Sequence, residues 1–184
     1  MATFFSIISQ IFGGSDKPEY EIADIYTGMR EMVFKLNEDQ LSEDQLSELK
    51  GKPVWAVLME TGHEGAAVTV VAIAEGTASL YFSNGGGMIG LGEHANVRPA
   101  CLSMVAESKK YIKKMKKTKS FPLPKKGETI FYVVTQDGTY TYKAKEDDLG
   151  NKRDELFPFF YKGQELITQM RIADEKREAE QLRD

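Results

Sequence analysis

Apolar positions along this chain recur with a helical period near the N-terminus, change to strand-like runs in the middle, and return to a helical period near the end. Phe4, Phe5, Ile8, Ile11 and Phe12 fall on one helical face, with Ser9 and Gln10 off it, which predicts a short amphipathic helix. Gly13, Gly14 and Ser15, followed by Pro18, interrupt it as a linker. Ile22, Ile25, Tyr26, Met29, Val33 and Leu36 predict a second amphipathic helix over about 20–36. Glu38-Asp39-Gln40-Leu41-Ser42 then repeats at once as Glu43-Asp44-Gln45-Leu46-Ser47. A five-residue period cannot keep Leu41 and Leu46 on one helical face, so this stretch is expected to be an acidic connector with partial helicity.

From Pro53 the pattern is that of strands. Val54 to Met59, Ala67 to Ile73 and Ser79 to Phe82 are short apolar or β-branched runs, separated by turn residues at Gly62 to Gly65 and at Glu75-Gly76-Thr77. Connections this short force antiparallel neighbours, because a parallel crossover needs a dozen or more residues. Asn96 to Lys117 reads as the best helix in the chain, with Val97, Cys101, Met104, Val105, Ser108, Tyr111, Ile112 and Met115 on one face and Asn96 as its cap. Thr129 to Thr135 and Thr139 to Lys143 form a hairpin around Asp137-Gly138, a strong turn signal. Leu156 to Tyr161 is an aromatic-rich cluster that Leu166, Ile167 and Met170 continue as a helix, and past Ala173 the chain is almost wholly polar.

The expected fold class is therefore α+β: a roughly five-stranded antiparallel sheet, made of a three-strand meander, a helix and a β-hairpin, flanked by helices. Residues 1–14 read as an amphipathic N-terminal segment, and residues 15–184 as a single domain with a charged helical tail. In outline this layout resembles that of the roadblock and profilin-like folds. No sequence motif ties the chain to either, and no function follows from a layout.

Composition narrows the function classes. The 184 residues are 41% apolar, enough for one sizeable core, and the net charge of -4 with a pI near 5.4 argues against a general nucleic-acid binder. Cys101 is the sole cysteine, which rules out an intrachain disulfide and a cysteine-based zinc cluster. A reducing cytoplasm fits that usage. No apolar run is long enough to span a bilayer.

Two stretches invite chemistry. Gly85, Gly87 and Gly90 match G-x-G-x-x-G, but the strand before them closes an antiparallel meander and the helix after them starts too late for a dinucleotide site. What remains is either a tight turn or a loop that holds a small anion with Ser83, Asn84, Gly85, Gly86, Gly87, Glu93 and His94. Glu93 and His94 are adjacent and would carry any acid-base step. His63 reads as solvated, and no H-E-x-x-H spacing, phosphate loop or nucleophile elbow is present, so neither a catalytic residue, a metal site nor a cofactor is expected.

The second stretch is basic. Nine of the 18 lysines lie between Lys109 and Lys126 with no acidic residue among them, so the rest of the chain carries -13. The expected role is a non-enzymatic binding or regulatory domain working through protein contacts or self-association. Its contact residues would be Phe4, Phe5, Ile8, Ile11 and Phe12 with Lys109, Lys110, Lys113 and Lys114. The alternative is an anionic-ligand binder or enzyme built on the glycine loop. Nucleic acid and membrane surfaces are not expected partners.

Overall fold

The computed structural model describes residues 20–36 and 43–181; the amphipathic segment at 1–14 lies outside them. The helix expected over 20–36 is α1, Asp24–Phe34, and the acidic connector forms the short α2, Glu43–Leu49. β1 (Ala56–Gly62), β2 (Ala67–Ile73) and β3 (Ala78–Phe82) make the expected meander. β3 continues through a tight turn into β4, Gly87–Met88. After α3 (Val97–Ser108) come β5 (Lys116–Thr118), β6 (Glu128–Thr135) and β7 (Gly138–Lys145). The chain then forms α4, Glu146–Gly150, and α5, Phe157–Gln181.

All pairings between these strands are antiparallel and the strand order is β4-β3-β2-β1-β6-β7-β5, a seven-stranded sheet rather than the expected five. The α+β class stands. The two extra strands are two and three residues long, and neither Gly87–Met88 nor Lys116–Thr118 carries an alternating apolar pattern; β4 pairs through the tight turn after β3, and β5 is brought to the opposite edge by pairing with β7.

A second correction concerns the long helix expected to run to Lys117. It stops at Ser108, whose hydroxyl donates back to the Val105 carbonyl at 2.8 Å, and the chain turns through a short 3₁₀ segment at Ile112–Lys114 into β5. Tyr111 and Met115 are still buried, so the apolar spacing was that of a core but not of one continuous helix. Nor does Asn96 cap α3: its amide donates at 3.0 Å to the carbonyl and side-chain oxygen of Gln169 on α5.

The strand period of two splits the central strands between two cores. Val57, Met59, Val70, Ala72, Phe131 and Val133 face α3 and α5, which bring Met104, Phe159, Leu166 and Met170. Ala56, Leu58, Val71, Ile130, Tyr132 and Val134 face α1, which brings Tyr26 and Val33. The connection between β5 and β6 crosses this second face, and Phe121 and Leu123 pack into it.

Candidate functional site

The basic stretch does not lie along a helix. Lys109 and Lys110 follow the end of α3, Lys113 and Lys114 lie at the 3₁₀ turn, and Lys116 and Lys117 stand on β5. β5 is the last strand in the order: β7 pairs with one side of it, and among the described residues no strand pairs with the other. Lysines on such an edge discourage pairing with another copy of the same edge.

Beside β5, on the α1 face of the sheet, lies a groove of about 750 Å³. Lys114, Lys116, Lys125 and Lys143 line it from three stretches of chain, with Ser120 and Thr141 between them. Its one carboxylate, Glu128, accepts from the Lys143 ammonium at 3.2 Å and from the Lys125 backbone N–H at 3.1 Å. Partial burial works to raise that carboxyl, but these two donors outweigh it and hold it below the ordinary range. Lys114 pairs with Glu155 and Lys110 with Glu107, whereas Lys116 has no ion-pair partner among the described residues. On the far side of the 119–127 connection a second groove of about 660 Å³ runs beside α1, walled by Ile22, Phe34 and Phe121; Leu123 belongs to both.

Between α1 and the sheet sits a polar cluster that the sequence reading missed. Arg30 grips the fully buried Glu60 of β1 with two hydrogen bonds, Nε to Oε1 at 2.6 Å and Nη2 to Oε2 at 2.8 Å. Thr69 donates to the same carboxylate at 3.3 Å and is itself joined to the Tyr26 hydroxyl at 2.8 Å. The guanidinium lies 4.8 Å from the Phe34 ring centroid and 5.6 Å from that of Tyr132. Both Arg30 and the Tyr132 hydroxyl donate to the Pro122 carbonyl. Burial, reinforced by the Glu60 charge, pushes the Tyr26 and Tyr132 phenols well above their ordinary value and keeps them neutral donors. Burial also pushes the Glu60 carboxyl up, against the opposing pull of Arg30 and Thr69. These hydrogen bonds tie α1 and the connection to the sheet. The sequence did carry a signal: Glu60 follows Ala56 and Leu58 on one strand face, and Arg30 lies one turn from Tyr26.

The glycine stretch is a hairpin followed by a close approach. Phe82 N–H donates to the Gly86 carbonyl, and Gly85 N–H, at φ 98°, donates to the Phe82 carbonyl at 3.0 Å. A Cβ on Gly87 would lie 2.5 Å from the Leu80 carbonyl oxygen, so the β3–β4 approach requires glycine there. Ser83 is buried, its hydroxyl accepting from Ala67 N–H at 2.9 Å, while Asn84 and Glu93 are exposed and His94 is half-buried. The His94 carbonyl takes the first two amides of α3, and Pro99 has none to give. Among the described residues no hydrogen bond or ion pair joins Ser83, Asn84, Glu93 and His94 to one another.

Elsewhere, His63 Nδ1 lies 4.0 Å from the Glu146 carboxylate with both side chains partly exposed. Cys101 is fully buried and burial pushes its thiol up to about 12, the behaviour of a core residue. Among the described residues there is no group of three acidic, histidine or cysteine side chains placed for a metal, and no helix long and apolar enough to cross a membrane. The proposed contact residues Phe4, Phe5, Ile8, Ile11 and Phe12 lie outside the described residues.

Compared with known proteins, the chain matches no family, no curated protein and no solved structure.

Proposed function

We propose that this chain is a non-enzymatic binding domain that takes an extended, acidic segment of a partner protein along its basic edge. The observation that carries the reading is the open side of β5 with Lys114, Lys116, Lys125 and Lys143 gathered around the groove beside it. An unpaired strand edge offers backbone donors and acceptors at fixed spacing, which is the physical basis of recognition by strand addition. The lysine rim adds the choice of partner. Two basic edges repel, and an acidic strand is drawn in, so one set of charges blocks self-pairing and selects the ligand.

The test uses two synthetic decapeptides, an alternating Glu-Val repeat and an alternating Lys-Val repeat, titrated against the ¹⁵N-labelled protein. The acidic peptide is expected to shift the amides of Lys116 to Thr118, to weaken as salt rises, and to lose about ten-fold in affinity in Lys116→Glu/Lys143→Glu, the equivalent of 1.4 kcal/mol. Equal response to both peptides, or acidic-peptide shifts confined to residues away from β5, sinks the reading.

A further inference from the structure

α1 and the stretch just before it expose large apolar side chains. Ile25 is 60% exposed, Met32 71% and Ile22 42%, with Met29 half-buried between them. Within α1, positions 25, 29 and 32 recur at steps of four and three, the spacing of a seam that packs against another helix, and Ile22 lies just before the helix. The sequence pattern assigned Ile22 and Ile25 to the same apolar face as Tyr26 and Val33. In the fold only Tyr26 and Val33 reach the core, because the sheet covers a narrower arc of α1 than the apolar residues occupy. The stripe is firmly held, since Arg30 on the neighbouring arc is locked to Glu60.

We propose that the occupant of this stripe is the chain's own amphipathic segment, with Phe4, Phe5, Ile8, Ile11 and Phe12 packed on Ile22, Ile25, Met29 and Met32 of the same molecule. The segment and the stripe match in length. Phe4 to Phe12 spans about 12 Å as a helix and Ile25 to Met32 about 10 Å. The described chain begins at Tyr20, two residues before the stripe, so residues 13–19 are the only link needed. Seven residues extend up to about 25 Å, and Gly13, Gly14 and Pro18 within them favour a reversal of direction. A tether of that length supplies an effective concentration on the order of mM, which favours docking within one chain over docking between two. Neither surface carries enough charge to prefer water: the segment has no ionisable side chain between Ala2 and Ser15, and the stripe is interrupted only by Gly28, which faces open space.

The test is paramagnetic. A nitroxide is attached at Ser9→Cys, on the polar side of the segment, where the buried Cys101 thiol does not compete for the label. Loss of amide signal from Ile25 to Met32 is expected in the ¹⁵N-labelled, spin-labelled protein. The same amides should keep full intensity when unlabelled ¹⁵N protein is mixed with spin-labelled ¹⁴N protein. Attenuation in the mixed sample means that a second copy is the occupant and overturns the proposal, as does no attenuation in either sample. A label at Ser6→Cys, read the same way, replaces the first site if that one disturbs the amide spectrum of α1. Removal of residues 1–14 is expected to raise the fluorescence of a bound anilinonaphthalene sulfonate probe, and Ile25→Lys/Met32→Lys in the shortened chain to abolish that rise. An unchanged signal on truncation counts against the docking.

Discussion

Beneath α3 and α5 the sheet turns out Val57, Met59, Val70, Phe131 and Val133, and the helices answer with Met104, Phe159 and Leu166, so that side of the molecule is closed mainly by apolar packing. Beneath α1 the same strands turn out Glu60 and Thr69 among Leu58, Ile130 and Tyr132, and the cover is one short helix and a crossing loop. The difference teaches how each side is held. Apolar packing is non-directional and tolerates many arrangements, whereas a buried carboxylate accepts only a partner that meets it in one geometry. Arg30 and Glu60 thus specify where α1 lies, at a cost in desolvation that an apolar pair would not incur. The α3/α5 face is closed mainly by apolar packing, and the α1 face carries the two grooves on either side of the 119–127 connection.

The largest effect on the closed face is expected from Phe159→Ala. Phe159 is fully buried and stacks at 4.8 Å on Phe131. Its loss should lower the unfolding free energy by about 3–5 kcal/mol, measured by urea denaturation, with little dependence on pH between 5 and 8.

Arg30→Met is expected to lower stability by a similar amount, about 3–5 kcal/mol, but for a different reason: it strands the Glu60 charge. Without Arg30 the folded-state pKa of Glu60 lies further above its unfolded value. A carboxyl raised in this way favours the fold below its unfolded pKa, and that contribution is lost as pH rises through the folded pKa. The deficit relative to the parent should therefore be greatest at neutral and alkaline pH and shrink as pH falls toward the carboxylate range. Arg30→Met/Glu60→Leu should recover most of the loss. If the single variant's deficit is flat across pH, the pair is not the device that separates the two faces.

A smaller effect is expected at the sheet's β4 edge. Gly87→Ala places a Cβ against the Leu80 carbonyl and should cost about 1–3 kcal/mol, seen as faster amide exchange in β4 and at the β3–β4 turn, with both faces otherwise intact. Exchange that accelerates equally in β1 and β6 would mean that the edge is not separable from the centre.

Much of this was readable in advance. The meander, the Asp137-Gly138 hairpin, the core role of Cys101 and the antiparallel setting of the glycines all followed from local patterns, because turn chemistry and the period of apolar residues act within a few positions. The basic stretch was visible as charge but was placed on a helix. Its lysines carry no periodic signal, and the helix ends at Ser108 with no Gly or Pro to mark the break. The Arg30–Glu60 pair was missed because a lone Glu in an apolar strand and a lone Arg in an amphipathic helix each read as surface residues until the two elements meet.

By itself, then, the sequence determined the α+β class, the strands of the meander and of the hairpin, and the antiparallel pairing within each, since those depend on contacts between residues close in the chain. Only the tertiary structure decided which arc of α1 is buried, that Glu60 is paired rather than solvated, and that Lys116 to Thr118 forms the last strand of the order, with no strand on its other side among the described residues. Each of those depends on residues about 20 to 90 positions apart coming together, and no local period records such a meeting.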